Sequence, residues 1–388
     1  MNQNTGNTIR TAPVAKPHRL IWLFILLGSF SSGCDEEVAL EEQKIIIDST
    51  VTDAVIPLED SISNDIDDYF EVLFKDSKFN GVGLFYKDGK QFAFAKGVKR
   101  FDSKSDSLDI DDQFQLASLS KPFTAYAILQ LIERGLVKLD DSVTTFLPCT
   151  PYNNITVRHL LTHTSGIGYY AYVTDSLWGS PENMMDNDDL ITMMECKQIP
   201  NYFQPEQYFD YCNTNYTLLA DIVESVTGVS FQEYMRTEVF SELDMSNSEI
   251  MDVNKLDPLA YEVHGHFPNR DSKRPSYLDG IVGDKGVYST VDDLLTFYLA
   301  MGTDDFVDPD LWAEATKPQE RYAQNLYYGY GWRIKSLSSG DTIIYHNGWW
   351  RGFRSYFWMS KKEDKVCIIL TNWIKGRYLN QEEIWLLF

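Results

Sequence analysis

Ser118-Leu119-Ser120-Lys121 is the first place in this chain where residue types and spacing suggest chemistry. A serine hydroxyl is a poor nucleophile until something takes its proton. Spacing of i, i+3 stacks Lys121 on Ser118 along one helix face, and an apolar run follows directly. A helix start offers partial positive charge and free N–H groups, which favour an ionised serine beside an uncharged amine. The lysine is thus placed to act as general base. Pro122 is tolerated only in a first turn, which sets the expected helix start near Ser118. Two further triplets carry polar side chains at strategic places. Tyr211-Cys212-Asn213 leads into an apolar helical stretch, and His346-Asn347-Gly348 ends a strand-like run. A glycine there would let substrate backbone lie against the strand edge. Each triplet alone is short enough to occur by chance.

The elements that must hold these residues follow from periodicity. Residues 62–76 are spaced as a helix. Gly81 to Tyr86 and Gln91 to Lys96 read as strands joined by Lys87-Asp88-Gly89-Lys90, and Asp-Gly between such runs signals a hairpin. From 118 to about 300 the pattern is mostly helical, with helices expected at 119–134, 158–163, 214–227, 231–240 and 291–301. Strands return at 328–334, 342–346, 353–359 and 366–370, and a short helix is expected at 381–388. Strands open and close the domain around a helical middle. That is an α+β layout, its antiparallel sheet assembled from both chain ends and flanked by helices.

The 388 residues carry 34 Lys+Arg against 57 Asp+Glu, a formal charge of −23. Three of the basic residues and none of the acids fall within the first 34 positions, leaving about −26 beyond them. Such acidity argues against nucleic acid as a partner. The apolar share of 44% is that of a globular chain. Arg10, Lys16 and Arg19 precede the apolar run Leu20 to Leu27, and small residues follow, the layout of a secretory signal. Ser31-Ser32-Gly33-Cys34 resembles a bacterial lipobox, although leucine is usual where Ser31 stands. That resemblance implies a lipidated Cys34 as the new N-terminus. The division expected is a signal at 1–34, an acidic linker at 35–61 and a catalytic domain at 62–388, lipid-anchored in the bacterial cell envelope. Cys149, Cys196, Cys212 and Cys367 allow three disulfide pairings, and buried free thiols are an equal reading.

Taken together, the three triplets resemble the penicillin-recognising serine enzymes: class C-type β-lactamases, D-alanyl-D-alanine carboxypeptidases and related esterases. Those families show S-x-x-K, then Y-x-N, then K-T-G or H-x-G. The resemblance extends to Phe114 through Ala125, to Leu139-Asp140-Asp141-Ser142-Val143, and to His159-Leu160-Leu161-Thr162-His163-Thr164-Ser165-Gly166. Gly283 to Leu294 and Tyr328-Gly329-Tyr330-Gly331-Trp332 also fit, and coverage runs from about 62 to 388. It implies a β-lactamase-like fold in which Ser118 is acylated, Lys121 is its base and Tyr211 passes a proton to the leaving group. Asn213 would orient Lys121 and a substrate amide. His346, Asn347 and Gly348 would line the substrate site, with the backbone N–H groups of Ser118 and Trp349 as oxyanion hole. No metal or cofactor is implied.

Several features compete with this assignment. His159 and His163 have metal-ligand spacing, but no H-E-x-x-H is present and the resemblance makes them structural. His264-Gly265-His266 has no evident third ligand. Ser165 reads as a turn residue, and Tyr169, Tyr170 and Tyr172 fit cleft lining or packing equally. The expected activity is hydrolysis of an amide or ester through an acyl-enzyme. The substrate would be a D-amino-acid peptide, an ester or a β-lactam, with peptidoglycan as one source of the peptide. The alternatives are a silent member that binds peptidoglycan-like ligands and a true class C-type β-lactamase. A histidine at its ordinary pKa of ~6.5 is about a quarter charged at neutral pH, so weak β-lactam turnover is expected.

Overall fold

A computed structural model describes residues 55–102, 106–179, 183–196, 199–253, 260–301, 303, 306–338, 340–375 and 378–388. The expected signal, Cys34 and most of the acidic linker lie outside the described residues. A compact unit runs from Pro57 to Phe388. Its first helix, Asp60–Lys75, starts two residues inside the stretch read as linker.

The main sheet contains, in spatial order, Lys90–Lys96, Gly81–Lys87, Lys365–Thr371, Phe353–Ser360, Thr342–Trp350, Arg333–Ser336, Leu326–Tyr328 and Glu320–Ala323, with antiparallel pairing throughout. The N-terminal hairpin therefore pairs with the last strand of the chain, Cys367 opposite Phe85. Asp88 (φ 50°) and Gly89 (φ 79°) make its turn, as Asp-Gly foretells. Both faces of the sheet are covered, which explains the apolar runs. Val366, Ile368 and Leu370 pack towards the helical region. Cys367 and Ile369 point the other way, to a second core with Ile66, Phe70 and Trp385.

Two strands depart from expectation. Residues 328–334 divide into separate strands, because Gly331 (φ 81°) turns the chain and Gly329 packs against the Ala315 carbonyl. The 342 strand continues to Trp350 and reverses at Arg351 (φ 44°) and Gly352 (φ 101°).

The helical region centres on Lys121–Glu133 packed against Asn213–Thr227. The expected 231–240 helix is α-helical only over Phe231–Tyr234 and widens to a π-turn over Met235–Phe240. Phe114–Gln115, Val287–Ser289 and Glu249–Ile250 form a small second sheet just before Ser118. Cys149, Cys212 and Cys367 are free thiols.

Candidate active site

Ser118 lies on a single 3₁₀ turn, Ala117–Ser120, and the α-helix proper starts at Lys121. The helix thus begins three residues later than Pro122 suggested, with that proline still in the first turn. Ala117 adopts φ 52°, a left-handed conformation costly for a residue with a Cβ. Its surroundings enforce it. The Leu116 N–H donates to Val287 O at 2.8 Å, and the Ser355 hydroxyl donates to Leu116 O at 2.5 Å. Ser120 Oγ accepts from Val287 N at 3.1 Å. Gly348 presses on the same turn: a Cβ there would collide with the Leu116 carbonyl and the Ser355 hydroxyl. Its glycine requirement therefore comes from the chain's own turn before Ser118, not from substrate backbone.

Lys121 is fully buried, and three acceptors surround its nitrogen. Nζ lies 3.2 Å from Ser118 Oγ, 2.8 Å from Asn213 Oδ1 and 2.8 Å from the Asp284 carbonyl. An ammonium donates to all three. A neutral amine keeps two donors for the two carbonyl oxygens and turns its lone pair to the serine proton. The Tyr211 ring centroid lies 5.0 Å from the same nitrogen. Asn213 opens its helix, and its amide nitrogen reaches Tyr169 Oη at 3.5 Å.

The opposite wall is a directed hydrogen-bond chain. His163 Nδ1 accepts from Cys212 N at 3.2 Å and lies 3.1 Å from the Asn215 amide nitrogen. Its Nε2–H is then left to donate to Tyr328 Oη at 3.3 Å. Tyr328 donates onward to His346 Nε2 at 3.2 Å, and His346 Nδ1–H donates to the Asn347 carbonyl at 2.9 Å. These tautomers are assigned from the network. The chain ties the tyrosine triplet to the histidine triplet through Tyr328, the last residue of the Leu326–Tyr328 strand. Both histidines are buried and held well below the ordinary histidine pKa, first by burial and then by nearby cations, Lys121 and Arg333. His346 is therefore neutral at pH 7, and the quarter charge expected of it is absent.

Asn347 is a correction. Strand alternation turns it to the other face of the sheet, where its Oδ1 accepts from Trp358 Nε1 at 2.7 Å. Its amide is not offered to the cleft. The side chain of Trp349 is exposed, while its backbone follows Gly348 alongside the nucleophile turn.

Three charged residues that the sequence reading gave no role stand at the site. Arg333 places its guanidinium 4.7 Å from the Tyr211 ring, with Tyr322 and Tyr328 at 5.4 and 5.7 Å. Among the described residues no carboxylate pairs with it. Asp284 and Lys285 form a buried pair at 3.2 Å, and the Tyr170 hydroxyl donates to Asp284 at 2.9 Å. Burial lowers the Lys285 pKa, against the pull of Asp284. Two adjacent charges in an apolar stretch between Gly283 and Gly286 were the available signal. The competing features find other places. Both ring nitrogens of His159 are engaged, by Thr156 N and Glu206. Those of His266 meet Phe101 N and the Asn372 carbonyl. Ser165 donates to Asn215 in a turn. The tyrosine stripe divides: Tyr170 is buried and Tyr172 exposed.

The model of the family described as Beta-lactamase matches residues 66–383. The chain belongs to the beta-lactamase family. It is 32% identical over 322 residues to Penicillin-binding protein 4* of Bacillus subtilis, covering 78% of this chain and 70% of that protein. It is 25% identical to the D-aminopeptidase of Brucella ovis, over 68% of this chain and 50% of that one. Among solved structures, a penicillin-binding protein from Bacillus halodurans superposes with a TM-score of 0.72 at 27% identity, covering 82% of this chain and 99% of that one. The α+β, beta-lactamase-like fold expected from the sequence is thereby established. So is membership among serine hydrolases that cleave amides or esters through an acyl-enzyme. No helix among the described residues is long and apolar enough to cross a membrane.

Proposed function

We propose that Ser118 is the acylated nucleophile of a hydrolase acting on D-amino-acid peptides or esters, with Lys121 as its base. The observation that carries this is the position of Lys121 Nζ, 3.2 Å from Ser118 Oγ and fixed by two carbonyl oxygens. Ser118 Oγ attacks the carbonyl carbon while its proton passes to Lys121. The tetrahedral oxygen is received by the backbone N–H groups of Ser118 and Trp349. Tyr211, over the lysine nitrogen, returns the proton to the leaving nitrogen or oxygen as the C–N or C–O bond breaks. Water then cleaves the ester on Ser118. Asn213 orients Lys121 and presents its amide to the substrate, and His346 and Gly348 shape the strand wall.

β-Lactam turnover should be poor. The third triplet offers a drug carboxylate neither charge, because His346 is neutral, nor the Asn347 amide, which faces away. The relatives named as a penicillin-binding protein and a D-aminopeptidase favour peptide-like substrates. The Cys34 lipobox supports export and lipid anchoring in the cell envelope. A fluorophosphonate and a fluorescent penicillin, applied to wild type and Ser118→Ala, test the assignment. Labelling should vanish in the variant, and retained ester hydrolysis there would refute it. Nitrocefin hydrolysis above roughly 10⁵ M⁻¹s⁻¹ would make the protein a true β-lactamase. Equal membrane fractions for wild type and Cys34→Ser would remove the anchor.

A further inference from the structure

We propose that Asp284 and Lys285 are positioning residues for the base: their buried pair clamps the Asp284 carbonyl on Lys121 and keeps the charge around that lysine balanced. This rests on the reading of Lys121 as base and concerns how that base is held.

The loop that carries the pair is bracketed by Gly283 (φ 96°) and Gly286 (φ 105°). Glycines leave the backbone between them free to move unless side chains tie it down. A Cβ on Gly283 would strike the Tyr216 carbonyl, so the loop lies against the Asn213–Thr227 helix. The Thr124 hydroxyl, one turn along the Lys121 helix, donates to the Gly283 carbonyl at 2.7 Å. Asp284 then serves two lysines. Its main-chain oxygen accepts from Lys121 Nζ at 2.8 Å, and its carboxylate takes Lys285 Nζ at 3.2 Å. The Tyr170 hydroxyl closes a triangle, donating to Asp284 at 2.9 Å and accepting from Lys285 at 2.9 Å. All three side chains are buried, Asp284 with 1% of its surface exposed. A buried ion pair adds little stability over apolar residues of the same volume, so its use here lies in what it fixes.

The triangle joins the two carbonyl acceptors of Lys121. Tyr169, next to Tyr170, receives the Asn213 amide, and Tyr170 N donates to the hydroxyl of Thr214, beside Asn213. The Asn213 and Asp284 oxygens are thus both referred to one dipeptide. On its other side Lys285 Nζ lies 5.3 Å from the Trp350 ring, next in sequence to Trp349. The pair therefore touches the supports of the base and of the proposed oxyanion hole together.

Charge adds to this. Facing Lys121 are the Tyr211 and Tyr216 rings, at 5.0 and 5.7 Å, the neutral His163 and His346, and Arg333 against the Tyr211 ring. Lys285 feels the charges of Asp284, Asp279 and Lys121. Asp284 thus cancels an ammonium that would drive a proton off the base, and Lys285 cancels a carboxylate that would hold one on it.

The test is the pH profile of kcat/KM for p-nitrophenyl acetate, measured on the full chain. Lys285→Met leaves a carboxylate beside the base, so the acid limb should move up by roughly one pH unit. Asp284→Asn leaves an ammonium there, and the limb should move down by a similar amount. In the double variant Asp284→Asn, Lys285→Met the limb should return to its wild-type place, with kcat about tenfold down because the clamp on the carbonyl is gone. A merely structural pair would change stability in urea and shift no limb. Coincident limbs, or two shifts of one sign, overturn the proposal. Should a single variant fail to fold, the double decides. At wild-type stability, a tenfold loss of kcat supports the clamp and an unchanged kcat refutes it. Full activity in Lys121→Ala removes the base reading and this proposal with it. An inactive Lys121→Ala beside coincident limbs removes this proposal alone.

Discussion

The two walls of the cleft treat charge in opposite ways. On the helical wall each buried lysine meets oxygen: Lys121 has Ser118, Asn213 and the Asp284 carbonyl, and Lys285 has the Asp284 carboxylate and the Tyr170 hydroxyl. On the sheet wall His346 is a neutral link in a hydrogen-bond chain that runs through Tyr328 to His163 just past the Val157–Leu161 helix, and Arg333 faces aromatic rings. The difference separates tasks. The proposed proton transfer belongs to a wall where a lysine is oriented by fixed acceptors. The sheet wall supplies shape and a permanent guanidinium charge.

The largest effect should come from the helical wall. Ser118→Ala and Lys121→Ala should each lower kcat for ester hydrolysis by roughly 10³-fold or more, and the double variant should be little worse, because the pair acts as one unit. Steady-state kinetics on the three variants decides it. Additive losses would mean that the two residues act separately and would dissolve the contrast between the walls.

Next comes the buried pair behind Lys121. Asp284→Ala leaves Lys285 buried without its carboxylate, which should cost about 3–5 kcal/mol of unfolding free energy. Adding Lys285→Met should restore much of it, because the uncompensated charge is gone. Denaturant titration reads both. An Asp284→Ala protein as stable as wild type would show that the Tyr170 hydroxyl suffices for Lys285.

Much of this was legible in the sequence, and the failures have physical causes. Ser118, Lys121 and Asn213 stand on or beside helix starts, where i, i+3 spacing and local signals fix direction. The Asp-Gly hairpin and the last strand are local in the same sense. Asn347 misled because its neighbour His346 faces the cleft: on a strand extending to Trp350, adjacent side chains must face opposite ways. Gly348 was given to the substrate because sequence cannot show that Leu116, more than 200 positions away, would pack on it. Tyr328 and Arg333 face each other across one tight hairpin, but His163 meets Tyr328 from 165 positions away, and no spacing rule joins those two.

On the sheet wall the effects should be smaller. Tyr328→Phe removes the link between two buried histidines and leaves a donor on His163 and an acceptor on His346 unpaired. The cost should be about 1–3 kcal/mol of stability, with kcat for ester hydrolysis falling less than tenfold. A kcat loss as deep as that of Lys121→Ala would place Tyr328 on the proton path and break the division of labour.

The smallest effect is a pH dependence that checks the neutrality of the sheet wall directly. His163 and His346 are depressed in the folded state, mainly by burial, while the unfolded chain holds them near ~6.5. As pH falls through 6.5 the unfolded state binds protons that the folded state refuses, so stability falls. Above that value both states are neutral and the two histidines contribute no slope. Between pH 7 and 6 the pair should cost roughly 1 kcal/mol. Through the same window buried carboxyls work in the opposite direction, Asp221 among them, its pKa raised well above the ordinary carboxylate range by burial. Asp292, raised by burial to about 6, takes up a proton more readily when folded and so offsets part of the loss. Urea unfolding at pH 8, 7 and 6 should therefore give a plateau and then a decline. A slope between pH 7 and 6 left unchanged by His346→Gln would mean that His346 is charged in the folded protein as it is in the unfolded chain. That would give the third triplet the cation that burial of His346 withholds.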